Sequence, residues 1–307
     1  MALMTRHGFT LTARGPFDFG ATLRFTQEWP VTGGLPSDGR ALRFAYCAES
    51  DWLPIGVTVT AAPGGVAVAM TRAAGPRIRD EIARILSLDV DGSGFAEIAE
   101  ADPVLGDVWR RSPGLRPLCF WNPWEAACWA VIVQRSSMVV AARIKQRIAE
   151  RYGARVTLDG ETYAAFPPPT TLLDAGGLGL SAQKEEWLRG LARAALDGVL
   201  TAEHLRALDP EEALAELRAL PGVGPFSAGL ILIRGAGAPD AFPGDEPRLF
   251  AILREAYGLP RDAPPAACRK VAEAWRPYRS WASFLFRASA YGAPDDERRP
   301  RGFARGR

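Results

Sequence analysis

The stretch ELRALPGVGPFSAGLILIRG, residues 216–235, decides the fold. A helical run ends at Leu220, Pro221-Gly222-Val223-Gly224 makes a tight turn, and Pro225 opens the next helix, where its missing N–H costs nothing. The two glycines permit unusual backbone angles and leave no side chain in the way. The amides at the start of the second helix then face outward at the positive end of its dipole, ready for a phosphate oxygen. Such a contact carries no base information and suits a protein that scans any DNA sequence. A bare glycine turn also fits an ordinary helix corner. The full string LPGVGxxxA is more specific.

Downstream, GAPDAFPGD (residues 237–245) is a loop of Gly and Pro that ends on Asp245, twenty-one residues after Gly224. Glu246-Pro247 opens the next helix, which sets Asp245 at or near an N-cap. Asp240 and Glu246 compete with it as carboxylates. Upstream, residues 124–133 and 139–152 are helical runs interrupted by Gln134-Arg135-Ser136-Ser137. Residues 184–200 and 202–207 are amphipathic, and residues 211–220 lead into the glycine turn. Residues 226–233, 248–257, 266–275 and 280–290 continue the helical pattern.

The beginning of the chain has a different character. Residues 17–70 read as β, with Phe17, Phe19, Leu23 and Phe25 beginning the segment. Ile55, Val57 and Val59 alternate before Pro63-Gly64-Gly65, and Val66, Val68 and Met70 alternate after it, which is a hairpin signal. Ile78, Ile82, Ile85 and Leu86 recur at helical spacing. A basic, Pro-rich passage with Arg110, Arg111, Pro113, Arg116 and Pro117 follows. The expected fold class is an α+β N-terminal domain (residues 1–115) followed by a mostly α-helical domain (116–292). A basic tail (293–307), expected to be disordered, follows.

Composition removes several alternatives. The 307 residues are 48% hydrophobic and 23% charged, enough for a packed core. A net charge of +2 neither demands a polyanion partner nor excludes one. Cys47, Cys119, Cys128 and Cys268 have no metal-site spacing, and His7 and His204 lie far apart, which argues against a zinc site or a histidine triad. The N-terminus has no apolar signal region, and no stretch approaches a membrane span. The expected location is the cytoplasm, on the nucleoid if the source is bacterial, with reduced thiols.

The glycine turn followed by Asp245 resembles the helix–hairpin–helix of the DNA glycosylase superfamily, most closely the DNA-3-methyladenine glycosylase II family. The resemblance runs from about residue 15 to about 290 and extends to residues 124–153, 177–198 and 274–286. It implies a DNA N-glycosylase of base excision repair acting on double-stranded DNA with damaged bases, as a monomer and without a membrane. Asp245 would be the catalytic carboxylate, facing the oxocarbenium-like sugar of a flipped nucleotide. Gly222, Val223, Gly224, Phe226 and Ser227 would contact DNA at the hairpin. Gln134, Arg135 and Ser136 would do so at the wedge loop, where Arg135 departs from the apolar wedge of close relatives. Bifunctional relatives carry a lysine at the position of Phe226, so a monofunctional enzyme without AP-lyase activity is implied. Phe226, Leu230, Trp281 and Arg287 would line the base pocket, with Trp121, Trp124 and Trp129 as further aromatics. Arg287 would disfavour a cationic base. No cofactor is implied beyond a structural Na⁺ or K⁺ at the carbonyls of Arg218, Leu220 and Val223. Alkylated purines lead as substrates. The alternatives are a neutral lesion (hypoxanthine, uracil or an oxidised purine), a non-catalytic helix–hairpin–helix DNA-binding protein, and a helical domain with no DNA role.

Overall fold

The computed structural model describes residues 7–28, 39–73 and 75–290; the tail expected to be disordered lies outside them. Strand β1 (His7–Thr12) and helix α1 (Phe19–Glu28) precede β2 (Ala41–Cys47), β3 (Pro54–Ala62) and β4 (Gly65–Met70). The four strands form one antiparallel sheet in the order β1-β4-β3-β2. The expected hairpin is β3–β4, with Val59 opposite Val68 and Gly64 at φ +69° in the turn. The β reading of Phe19, Leu23 and Phe25 is corrected, because all three lie on α1. Arg24 and Gln27 form its exposed stripe, while Ala21, Thr22, Leu23, Phe25 and Thr26 are buried. A helix buried on most sides mimics a strand wherever its apolar residues happen to alternate.

Strand β2 shows how the sheet joins the rest of the molecule. Its even positions, Leu42, Phe44 and Tyr46, enter the main core. Its odd positions, Ala45 and Cys47, enter a small second core with Leu158, Tyr163 and Ala165. Both faces are covered, so β2 reads as almost continuously apolar. Each large side chain fully buried here contributes roughly 1.5–3 kcal/mol.

Helix α2 (Pro76–Ile85) lays Ile78, Ile82 and Ile85 into the main core as expected, and α3 (Ser93–Ala101) and α4 (Pro103–Arg111) follow. The basic passage after α4 is not uniformly a surface feature. Arg116 is buried, and its guanidinium caps the carbonyls of Arg14, Pro16, Ser87 and Val90.

Helix α5 (Pro123–Ile132) is buried along its whole length and forms the axis of the helical part. Phe44 stacks on Trp121 at 4.0 Å just before it, joining sheet and helices through one continuous core. After α6 (Met138–Tyr152) comes a hairpin in a stretch to which the sequence reading assigned no element, β5 (Arg155–Leu158) and β6 (Glu161–Ala164). Its turn is Asp159-Gly160, both at positive φ, the geometry a two-residue hairpin loop requires. It lies flush on β3, since a Cβ on Gly56 would stand 2.7 Å from Val156.

The remaining helices are α7 (Pro169–Asp174), α8 (Ala182–Leu196), α9 (Ala202–Ala207), α10 (Pro210–Arg218), α11 (Pro225–Leu230), α12 (Pro247–Ala256), α13 (Pro265–Ala272) and α14 (Arg279–Ser289). A π-helical turn, Ile231–Gly235, extends α11, and a 3₁₀ turn, Glu273–Trp275, follows α13. All four cysteines are free and buried. Burial pushes the Cys47 thiol up to about 12. No helix among the described residues is long and apolar enough to cross a membrane.

Candidate nucleic-acid interface and carboxylate loop

The turn between α10 and α11 is built as its sequence demands. Val223 N–H donates to the Leu220 carbonyl at 3.2 Å, and Gly222 takes φ +76°. A Cβ on Gly222 would lie 2.7 Å from the Trp187 ring, so glycine is needed for both conformation and space. Gly224 differs. Its φ is −89°, and a Cβ there would meet nothing within 4 Å. Nothing inside the protein requires glycine at this position, which leaves an approach from outside as its physical use. The Val223 amide is taken up by the turn itself. The amides of Gly224, Phe226 and Ser227 precede the first α11 bond, Ala228 N–H to the Gly224 carbonyl at 2.9 Å. Phe226 is 47% exposed.

The structure brings the second predicted element to this turn. Gln134 Nε2 donates to the Gly222 carbonyl at 2.7 Å across 88 positions of sequence. Gln134 therefore fastens the wedge loop to the hairpin with the very group expected to reach DNA. Arg135 is exposed and holds φ +55°, a conformation uncommon outside glycine. Lys184 of α8 closes the C-terminus of α5 beneath it, donating to the carbonyls of Ile132 at 2.9 Å and Gln134 at 2.7 Å. Burial, followed by the nearby Arg135 charge, lowers the Lys184 pKa. Ser136 N–H bonds to the Val133 carbonyl at 3.1 Å, and Ser137 caps α6.

The three carboxylates of the acidic loop are separated by their partners. Asp240 is gripped by Arg279 at 2.9 Å and Arg276 at 2.8 Å, which makes it an anchor. Ser280 adds hydrogen bonds to both backbone groups of Ala241. Glu246 is the N-cap of α12 and pairs with Arg287 of α14 at 2.5 Å, each side chain 18% exposed. Asp245 sits one position earlier, is exposed, and makes no hydrogen bond or ion pair among the described residues. It does not cap α12, since the cap position belongs to Glu246. Arg269 of α13 reaches over the loop to the Gly244 carbonyl at 3.0 Å. Beneath it lies a cleft of about 260 Å³ lined by Leu214, Phe242, Arg269, Arg276 and Arg279 among others.

The predicted pocket assembles only in part. Phe226 and Leu230 share α11, with Leu230 half-buried. Arg287 stands beside the acidic loop and is ion-paired with Glu246 at 2.5 Å. Trp281 is not at this face. It is buried against Phe95 and Tyr278, with the Arg116 guanidinium 5.1 Å from its ring. Trp121, Trp124 and Trp129 are likewise buried in the core. The carbonyls of Arg218, Leu220 and Val223 are oxygen donors of the kind that replace an alkali cation's hydration shell, and one lone pair of Leu220 is already used by Val223. No cluster of three or more His, Cys, Asp or Glu among the described residues suits a metal ion.

No protein-family model matches the chain. It is 29% identical over 218 residues to the DNA-3-methyladenine glycosylase of Bacillus subtilis (strain 168), a match covering 67% of this chain and 71% of that protein. It is 34% identical over 184 residues to DNA-3-methyladenine glycosylase 2 of Escherichia coli (strain K12), covering 58% of this chain and 61% of that protein. Among solved structures it is similar to 3-methyladenine DNA-glycosylase from Archaeoglobus fulgidus, with a TM-score of 0.74 at 22% identity, covering 92% of this chain and 97% of that one. At that identity the likeness concerns the fold.

Proposed function

We propose that this chain, which belongs to the helix–hairpin–helix DNA glycosylase superfamily, is a monofunctional DNA N-glycosylase of base excision repair that releases alkylated purines. The bond between Gln134 and the Gly222 carbonyl carries the reading. It sets the phosphate-facing amides and Arg135 side by side, so one surface can pin the backbone and fill the gap left by a flipped nucleotide. Arg135 would stack between bases or reach the orphaned partner. The acidic loop then faces the exposed sugar. As the glycosidic bond breaks, its electron pair leaves on the purine and positive charge grows on the sugar. A fixed carboxylate stabilises that charge. Water adds to the sugar carbon, and its proton passes to the carboxylate.

Asp245 is the favoured carboxylate because its charge is uncompensated. An ion-paired carboxylate projects a weaker field, which counts against Glu246. A second reading assigns the role to Glu246 because it is sheltered and held at a helix N-terminus. Phe226 offers no amine, which supports simple hydrolysis over strand cleavage. The carbonyls of Arg218, Leu220 and Val223 would hold a sodium or potassium ion, which adds attraction for the phosphate. The enzyme works as a monomer on nucleoid DNA.

A base-release assay on single-lesion duplexes tests this. The lesions are 3-methyladenine, hypoxanthine, uracil and 8-oxoguanine, and the proteins are wild type, Asp245→Asn and Glu246→Gln. The expected result is release of the alkylated purine, with Asp245→Asn slower by about 10²–10³-fold. No release from any lesion sinks the enzyme reading. A larger loss for Glu246→Gln moves the assignment to that residue. A borohydride-trapped protein–DNA adduct contradicts monofunctional hydrolysis.

A further inference from the structure

Helix α8 supports both DNA-facing loops from one face. Lys184 holds the carbonyls of Ile132 and Gln134 at the root of the wedge loop. One helical step on, Trp187 lies under the hairpin so closely that only glycine fits at 222. Another step on, Gly190 makes room for Pro221, whose Cγ would stand 2.4 Å from a Cβ there. Gln134 closes the ring by bonding Gly222. The spacing 184, 187, 190 keeps the three supports along one side of the helix.

We propose that Lys184 is a positioning residue, which with Trp187 locks the wedge loop and the hairpin into one rigid frame that fixes where a side chain enters the duplex relative to the pinned phosphate. The proposal rests on the DNA-facing reading of these loops. Lys184 acts through Gln134 and Arg135, because its two observed hydrogen bonds are spent on carbonyls. A lysine used this way contributes geometry, with two of its three N–H donors turned to backbone carbonyls instead of a phosphate. The separation between wedge and phosphate clamp is then set before DNA arrives, and flipping and backbone pinning occur as a unit.

The experiment compares wild type, Lys184→Met and Lys184→Arg on duplexes carrying 2-aminopurine beside the lesion. It also measures the salt dependence of binding to undamaged duplex. Lys184→Met is expected to keep affinity for undamaged DNA within about threefold, with an unchanged salt slope. The 2-aminopurine signal should fall, and base release should slow by about 10²-fold, the cost of misplacing a reacting group by about 1 Å. Lys184→Arg, which keeps the donors, should restore most of both. A salt slope reduced by about one with uniform affinity loss would make Lys184 a phosphate contact and overturn the proposal. Unchanged flipping and release would overturn it as well. Trp187→Leu at the other end of the frame provides an independent arm should Lys184→Met fail to fold, with the same loss of flipping expected and intact flipping counting against the frame. The fluorescence readout needs no excision, so the proposal is tested even if no lesion proves to be a substrate.

Discussion

The hairpin and the acidic loop face the same task but are held very differently. Gly222 is pressed against Trp187, bonded by Gln134 and set in a left-handed conformation that only glycine takes easily. The turn at Gly244 and Asp245 is clipped by an exposed arginine at one carbonyl. One region is over-determined by packing, while the other is anchored at its ends, by Asp240 on one side and Glu246 on the other. The difference separates two requirements. Backbone pinning needs a geometry fixed before binding. In the proposed mechanism the carboxylate becomes fixed only once a flipped sugar lies against it.

The strongest way to break the comparison is Gly222→Ala. A side chain at φ +76° costs about 1–2 kcal/mol, and overpacking against an indole adds about 1–3 kcal/mol. Thermal unfolding should show a loss of roughly 2–5 kcal/mol. Gly224→Ala, two positions on, should change stability by no more than about 0.5 kcal/mol. It should nevertheless weaken duplex binding, because its methyl group stands before the free amides. If both variants destabilise equally, the hairpin is held by ordinary turn propensity and Trp187 plays no special part.

The root of the acidic loop gives a second, pH-dependent test. Arg84 binds the carbonyls of Phe120, Trp121 and Gly235 beside Gly237, where the loop begins, and it pairs with the buried Glu49. Next to them Glu81 accepts from Tyr46 at 3.0 Å, and its other carboxylate oxygen has no partner. Burial, then the Glu49 charge, pushes Glu81 up to about 7 from 4.5. The folded state therefore holds this proton more tightly than the unfolded chain. The stabilisation is fully present below about pH 4.5 and is lost as pH rises through about 7. It amounts to at most about 3 kcal/mol. Wild type should melt lower at pH 8 than at pH 5.5, and Glu81→Gln should flatten that slope. An unchanged slope in the variant would show that Glu81 is not the titrating group.

Much of this architecture is legible in the sequence, and what is not depends on surroundings that one dimension does not show. Of the helices flanking residues 134–137, α6 announces itself by the helical spacing of its apolar residues and α5 by a nearly continuous apolar run that is buried on every side. The hairpin is readable because Gly and Pro have few uses in that order. Trp281 reads as a pocket candidate although it is buried against Phe95, because a pocket aromatic and a core aromatic look alike in one dimension. The β5–β6 hairpin was missed although Asp159-Gly160 is the expected turn pair, since the surrounding helical pattern outweighed it. Lys184 carries no signal at all, because its partners are backbone carbonyls about fifty positions away, and a carbonyl has no residue identity. Gln134 is half legible, being polar and in the right loop, while its partner at Gly222 is again backbone.

The smallest effect sharpens the comparison most directly. A Cβ on Gly244 would stand 2.4 Å from the Arg269 guanidinium, a closer approach than the one Gly222 makes to Trp187. Distance alone would rank Gly244→Ala as the worse substitution. The neighbours decide otherwise. A bulky, half-buried indole carried by α8 against the hairpin yields less readily, whereas a guanidinium on an exposed arginine swings into solvent for the loss of one hydrogen bond. Gly244 also lacks the positive φ that penalises a side chain at 222. Gly244→Ala should therefore shift stability by about 0.5 kcal/mol or less, which is roughly 1–2 °C in melting temperature for a chain of this size. Base release should fall modestly, because the carbonyl next to Asp245 loses its clip. Should Gly244→Ala unfold the protein as Gly222→Ala does, the acidic loop is as rigid as the hairpin, and the freedom ascribed to Asp245 does not exist.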